Sequence, residues 1–477
     1  MNPKTPPVDP TRRKFLGQCC AAVSATGMLS AMSQLRLMGA VASPSHGPPI
    51  AAAGAIPADY KALVCLFLAG GNDGNNLVVP SDASGYQAYT AGRGYLALPR
   101  SSLLSIKPKT ADGHDYGFHP AMSELQSLFG QGRLAVMANV GTLAVPTTRA
   151  QYLARSVPLP LQLFSHSDQQ VEWQSSVPDK PFSTGWGGRL ADLTDAFNTN
   201  GAVSMSITLD GQNAFQVGQN VIQFAVNPSG AIVVNGAGTG PSLAGIRTKA
   251  LNDLMGASYG NLFDAAFGGM NRIAISNSEV IAGYLTGTPP FATAFPTSNL
   301  GQQMRSIARL IAAGPQLGLK RQVFFARMGG YDLHGGQIDG SNPLLGAHTN
   351  LLRDVSQSLG AFHNATVELG CANQVTSFTA SDFGRSYTSN GDGSDHGWGS
   401  QHFIMGGAVK GGDIYGRMPE WRVDGPDDTG HGRWIPTTSV DEYSATLASW
   451  FGVSATDLPV VLPNIGRFAK PNLGFLA

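Results

Sequence analysis

The chain has 477 residues, with 31 basic and 31 acidic side chains, 13% charged residues, 60 glycines and 30 prolines. Low charge together with 42% hydrophobic residues excludes a disordered polyelectrolyte, and Gly and Pro at this density exclude a coiled coil or an all-helical bundle. A balanced charge without a long Lys/Arg run argues against nucleic acid as a partner.

In chain order, Thr11-Arg12-Arg13-Lys14-Phe15-Leu16-Gly17 matches a twin-arginine export signal, an apolar stretch runs from Ala21 to Met32, and Ala40-Val41-Ala42 offers a small-x-small cleavage site. Residues 1–42 are therefore expected to be an export signal read by the twin-arginine translocation machinery, and residues 43–58, rich in Ala, Pro and Gly, a linker. The apolar stretch is short, contains Gly and Ser, and is interrupted by Arg36, so no stable membrane span is expected in the mature protein. The expectation is a periplasmic or secreted protein. Cys65 and Cys371 outlast the signal, both in or beside apolar runs, and read as two buried thiols, with a single disulfide as the alternative in an oxidising compartment; no C-x-x-C zinc pattern exists.

Lys61 to Ala69 is a continuous apolar run without alternation, the signature of a strand buried on both faces. A helical pattern opens at His119-Pro120 and runs through Phe129, and Leu134 to Val140 is the next buried strand. Ala202–Leu209, Val221–Val226 and Ala231–Val234 are short β-like segments that read as an antiparallel insertion or subdomain. Helical patterns follow at about 243–266, 268–285 and 298–313, then strands at Gln322–Met328 and Gln374–Ala380 with a helix at about 344–369 between them. A short strand at Phe403–Gly407 and a helix at 441–452 end the series. Residues 59–477 read as one α/β domain with a β-rich and helical insertion at about 201–300.

Three of the buried strands run into Gly-flanked loops that carry an aspartate: Asp73, Asp332 and Asp382. Ligands of open α/β sheets bind beyond the carboxyl ends of the strands. Three carboxylates gathered on one edge repel one another, and a divalent cation is the simplest way to neutralise them. Asp332-Leu333-His334 places a carboxylate and an imidazole two residues apart, on the same side of an extended backbone. Ser381-Asp382-Phe383-Gly384-Arg385 precedes Asp395-His396 and His402; Asp and His together suit zinc, manganese or iron and, with water, calcium or magnesium. Arg385 could clamp an anionic substrate or form a salt bridge to Asp382 or Asp395. His402, next to apolar Phe403–Met405, is a ligand or a buried hydrogen-bonded imidazole. In Phe164-Ser165-His166-Ser167-Asp168-Gln169-Gln170, Ser165 or Ser167 could serve as a nucleophile, or the segment could cap a helix starting near Ser167. No G-x-S-x-G elbow follows a strand, which argues against a Ser-His-Asp triad hydrolase.

These residues lie in segments that resemble an exported bacterial family labelled domain of unknown function 1501: L-A-G-G-N-D-G-N-N (68–76), Y-G-F-H-P (116–120), L-F-S-H-S-D-Q-Q (163–170), T-G-W-G-G-R-L (184–190), G-G-Y-D-L-H (329–334) and T-A-S-D-F-G-R through S-D-H-G-W-G-S-Q-H (379–402). The chain also looks like the alkaline phosphatase and sulfatase superfamily. That resemblance implies a three-layer α/β/α sandwich with a mostly parallel central sheet and metal ligands at strand ends. It implies Asp73 as the first ligand, Asp332 and His334 as the second set, Asp382 as the start of the third, and His396 or His402 as the downstream histidine. Phe383 stands where the resemblance calls for a histidine. Ser165 takes the place of the hydroxyl nucleophile and Arg385 that of the oxyanion-neutralising cation. The implied activity is metal-dependent hydrolysis of a small anionic phosphate or sulfate ester. The rival is a non-catalytic exported binding or surface-associated protein on a degenerate version of the fold.

Overall fold

The computed structural model describes residues 55–199, 203–227, 237–287 and 291–477. The expected export signal (1–42), most of the linker (43–58) and the β-like segment Ala231–Val234 lie outside the described residues.

Nine strands form the main sheet: β1 (Lys61–Leu68), β2 (Leu134–Gly141), β3 (Ser206–Thr208), β4 (Phe224–Ala225), β5 (Arg321–Met328), β6 (Val375–Ser381), β7 (Ser400–Gly406), β8 (Ile414–Tyr415) and β9 (Thr438–Ser439). Their order is β8-β2-β7-β6-β1-β5-β3-β4, with β9 on β2. Every pairing is parallel except the two made by β7, which runs antiparallel to β2 and β6. β1, β2 and β6 are buried almost end to end. Their sequences lack alternation because neither face meets water.

The helices used below are α1 (Ala83–Arg93), α2 (Ser123–Gly130), α3 (His166–Ser175), α4 (Trp186–Thr194), α5 (Asn299–Ala313), α6 (Ala347–Glu368) and α7 (Val440–Phe451). One group joins α2, α5 and α6, the other joins α3, α4 and α7, and the sheet packs against both. This is the mostly parallel α/β/α arrangement expected from the sequence. Local signals account for the helices. Ser298 caps α5 by accepting from Gly301 N, and Leu300, Met304, Ile307 and Ile311 line its buried face. Ser439 and Glu442 form a capping box on α7.

Two expectations are corrected. β3 and β4 do not form an antiparallel subdomain; they extend the main sheet, β3 parallel to β5 and β4 parallel to β3. A strand of two or three residues at or next to the sheet edge is too short to show a buried strand's long apolar run, so its sequence reads like a loop-rich insertion. The segment at His119-Pro120 is not yet helix: Tyr116–Phe118 pairs with Val78–Pro80 and Leu104–Ile106 in a small antiparallel sheet, and α2 begins at Ser123.

The described residues fall into two compact units. The smaller contains the helix Leu243–Gly256 and the first part of the helix Leu262–Gly287; the larger holds every labelled element. Cys65 and Cys371 are buried free thiols, as expected. No helix among the described residues is long and apolar enough to cross a membrane.

Register positions the site. Leu68 of β1 is level with Met328 of β5 and with Ser381 of β6, so the loops after the three strands emerge side by side. β7 starts at the same edge, because Ser400 pairs with Val140 near the end of β2. The chain just before β7, which carries His396, therefore arrives at the rim where the aspartates emerge.

Candidate metal centre

The loops after β1 and β5 touch because glycine permits it. Gly70 has φ +117, and a Cβ there would lie 2.4 Å from the backbone N of Asp332. Gly71, at φ +81, leaves room for the Phe383 ring, which a Cβ would meet at 2.4 Å. Tyr331 N donates to Ala69 O at 3.2 Å, which locks the two loops together and turns Asp332 outward.

Asp332 is the hub. Its Oδ1 lies 3.4 Å from His166 Nε2, 3.1 Å from His334 Nε2 and 3.3 Å from His396 Nε2. His334 Nε2 and His396 Nε2 are 2.9 Å apart. One ligand atom each from His166, Asp332 and His396 lies within 4.8 Å of the others. The side chain of Asp332 is 48% exposed, so the cluster opens to solvent.

The far side of each imidazole is held by an acceptor. His166 Nδ1 is 2.7 Å from Asp382 Oδ2, His334 Nδ1 is 3.1 Å from Asp395 Oδ1, and His396 Nδ1 is 2.7 Å from the carbonyl of Phe164. A carbonyl only accepts, so Nδ1 of His396 carries the proton and its Nε2 presents a lone pair. The carboxylates impose the same tautomer on His166 and His334. Two lone pairs 2.9 Å apart repel each other, with a carboxylate oxygen against both; a cation relieves that contact. The 3.3 and 3.4 Å separations from Asp332 to His396 and His166 match the ~3.3 Å edges of a four-coordinate ion with ~2.0–2.1 Å bonds. Carboxylate-backed histidines of this kind are the usual orienting shell of a metal ligand. The donor set therefore fits a divalent ion with an open position.

The electrostatics agree with the contacts. The hydrogen bond that His166 donates to Asp382 pushes His166 up, outweighing the opposing effect of burial. Burial alone would raise Asp332, but the hydrogen bond and charge of Arg385 hold its carboxyl below the usual range. His396 is pushed down, mainly by burial.

Of the residues singled out from sequence, Asp332, His334 and His396 meet at one point, with Asp382 directly behind His166. Gly70 N and Gln170 Nε2 also donate to Asp382, at 3.1 and 2.8 Å. Asp73 does not join them. It is 2% exposed; Arg93 and Gln337 donate to its Oδ2, and Asn75 donates to its Oδ1 through both N and Nδ2. A buried guanidinium does for Asp73 what the charge argument assigned to a cation. His402 does not reach the site either: it is buried against Trp173 and Tyr443, with Nδ1 3.3 Å from Thr379 Oγ1, and burial pushes its pKa down to about 3. Arg385 is 2% exposed, and its Nη atoms are engaged with Gly70 O, Asp332 Oδ1 and Ser394 O, so its guanidinium is turned to the interior rather than to a ligand. Phe383 wedges between the rings of His166 and His396, with centroids 4.8 and 4.7 Å away.

Ser165 sits at the N-cap of α3 but makes no capping hydrogen bond. Its hydroxyl donates instead to Asp168 Oδ2 at 2.5 Å and lies 3.2 Å from Ser167 Oγ. The residue that sequence reasoning passed over is His166. The sequence signal was present, a histidine in the first turn of a helix amid Ser and Asp, but capping and nucleophile readings of its neighbours absorbed it.

Residues 297–438 match the profile of the family described as "Protein of unknown function (DUF1501)", a segment that contains Asp332, His334, Asp382, Arg385, His396 and His402. No curated protein matches the sequence. Among solved structures, the chain is similar to Ps i-CgsB in complex with k-i-k-neocarrahexaose, at 10% identity over 86% of this chain and 77% of that one, with a TM-score of 0.36. It is similar to the PsFucS1 sulfatase from Pseudoalteromonas sp., at 10% identity over 91% and 73% of the two chains, with a TM-score of 0.34. It is also similar to the phosphonate monoester hydrolase of Agrobacterium radiobacter, at 11% identity over 84% and 77%, with a TM-score of 0.24.

Proposed function

We propose that this chain is an exported metal-dependent hydrolase of a small phosphate or sulfate ester. The observation that carries the reading is the convergence of His166 Nε2, His396 Nε2 and Asp332 Oδ1, with His334 beside them, each imidazole backed by an acceptor on its far nitrogen. His166, Asp332 and His396 would hold one divalent ion and leave a fourth position open, with His334 beside them as an alternative donor. The ion, zinc, calcium, magnesium or manganese, would supply Lewis-acid stabilisation of negative charge growing on the ester. Ser165, one residue before His166, is the nucleophile in this reading. Its oxygen would form the new bond to phosphorus or sulfur as its proton passes to Asp168. The departing alkoxide would take the electrons of the broken ester bond and then that proton, and water would displace Ser165 from phosphorus or sulfur and restore its hydroxyl. Export rests on the twin-arginine pattern at residues 11–17.

The rival, a non-catalytic exported binding or surface-associated protein, draws on two observations: Arg385 already pairs with Asp332 at 2.9 Å, and Phe383 occupies the space between two of the imidazoles. Metal analysis of exhaustively dialysed protein, combined with assays on aryl phosphates and aryl sulfates, separates the two. The hydrolase reading expects a tightly bound divalent ion and turnover that His396→Ala abolishes. Ion-free protein that remains inert when zinc, manganese, calcium or magnesium is added returns the chain to the rival.

A further inference from the structure

An ester whose reacting group is a phosphate or sulfate needs a cation with hydrogen-bond donors facing it. Arg385 and Arg93 cannot serve. The Nη atoms of Arg385 are spent on Gly70, Asp332 and Ser394 and its guanidinium is buried, and Arg93 is spent on Asp73, Asn76 and the carbonyls of Ser386 and Tyr387 in the interior.

We propose that Arg433 is the substrate-binding arginine of this site, recognising the anionic phosphate or sulfate group; this rests on the hydrolase reading above. Arg433 is half-buried, and its Nε donates to the backbone carbonyl of His396 at 2.9 Å, next to a ligand candidate. Its guanidinium lies over the ring of Phe164, 5.0 Å from the centroid. With the flat face stacked and Nε occupied, the two Nη groups form a fork without a hydrogen-bond partner among the described residues, which is the geometry that takes an oxyanion in a bidentate contact.

The arginine is held there by construction. Its backbone N donates to Asp428 Oδ1 at 3.0 Å, and the fully buried Asp428 carboxylate also accepts from Asp424 N at 2.8 Å and Gly430 N at 2.7 Å. On the other side Phe164 adopts φ +72, a region a bulky side chain rarely enters and one that costs free energy unless the surroundings enforce it. That conformation serves two purposes at once. The Phe164 carbonyl receives His396 Nδ1 at 2.7 Å, and its ring carries Arg433. Phe164 also directly precedes Ser165 and His166. One strained residue thus sets the nucleophile candidate, two imidazoles and the arginine relative to each other.

The test uses the full mature chain loaded with its divalent ion, with inorganic phosphate and sulfate as probes in calorimetry and aryl esters in steady-state assays. Arg433→Gln is expected to weaken phosphate or sulfate binding, and to raise KM, by roughly tenfold to a hundredfold, with metal affinity and thermal midpoint unchanged. Arg433→Lys, which keeps charge but loses the fork, should fall between Arg433→Gln and the unmodified chain. Unchanged anion affinity in Arg433→Gln, or a matching loss of metal affinity that marks a purely structural role through His396, overturns the assignment. Turnover indifferent to Arg433→Gln removes Arg433 and keeps the hydrolase. Anion binding that depends on Arg433 without turnover of any ester keeps Arg433 as an anion site and removes the hydrolase. Neither binding nor turnover in the unmodified chain removes both.

Discussion

Asp73 and Asp332 leave the sheet from neighbouring parallel strands whose ends are level, Leu68 opposite Met328, yet they have opposite fates. Asp73 is 2% exposed and sealed by Arg93, Gln337 and Asn75. Asp332 has a 48% exposed side chain and faces three imidazoles. A place at a strand end brings a carboxylate to the rim; what comes next in the chain decides its chemistry. After β1, α1 ends in Arg93, whose guanidinium drops onto the aspartate. After β5, two glycines and a tight turn at Asp332, where Leu333 N donates to Tyr331 O at 2.8 Å, keep the carboxylate in the open. Burial turns one acid into internal scaffolding, and exposure leaves the other available to an ion.

The largest expected effect lies in the sealed half. Arg93→Met strands a buried carboxylate and is expected to cost about 3–5 kcal/mol in urea unfolding. Asp73→Asn strands the guanidinium and should cost a similar amount, while the double variant recovers part of the loss. A stable Arg93→Met would mean that Asp73 is not sealed and would return it to the list of ligands. In the open half the balance reverses. Asp332→Asn should cost only about 1–2 kcal/mol, because solvent reaches its pair with Arg385, yet abolish the thermal stabilisation given by divalent ions, about 2.7 kcal/mol at a hundredfold excess over Kd. Smaller again is Asp382→Asn, which removes the negative charge and one of the two acceptor oxygens behind His166 and should weaken metal binding by about 10–100-fold. Should calorimetry show equal metal affinity in that variant, His166 is not a ligand.

What the sequence made legible follows from locality. The apolar runs at 61–69, 134–140, 322–328 and 374–380 become β1, β2, β5 and β6 because burial on both faces leaves a mark in every residue. Asp332 and His334 could be paired because an extended backbone aligns residues i and i+2, and the structure brings them to 3.1 Å. The Arg93–Asp73 pair joins residues 20 apart through the packing of α1, and no pattern within either segment announces it. Arg385 was legible as a cation near the acids but not as one turned inward, since its burial depends on neighbours from three separate segments. His166 shows a different limit: its motif was visible, but its partner Asp382 lies 216 residues away.

The smallest expected effect at neutral pH concerns His402, the histidine that the same reading left undecided between core and ligand. Burial holds it near a pKa of about 3, and the buried His119 and His348 at about 3 and about 4. Their ordinary value is 6.5, so below that pH the unfolded chain binds protons that the native core refuses. The stability these neutral imidazoles confer is complete above 6.5 and is lost as pH falls toward the folded values, at up to about 1.4 kcal/mol per pH unit for each. His402→Leu keeps the volume, and Thr379 Oγ1 retains Phe403 N as a donor. It should therefore change stability at pH 7 by less than about 1.5 kcal/mol and remove one proton's share of the slope between pH 6 and about 4. Urea midpoints at pH 7 and pH 5 measure both quantities. Metal affinity should not move. If it falls, the imidazole reaches the ion in solution, and the line drawn here between scaffold and site lies in the wrong place.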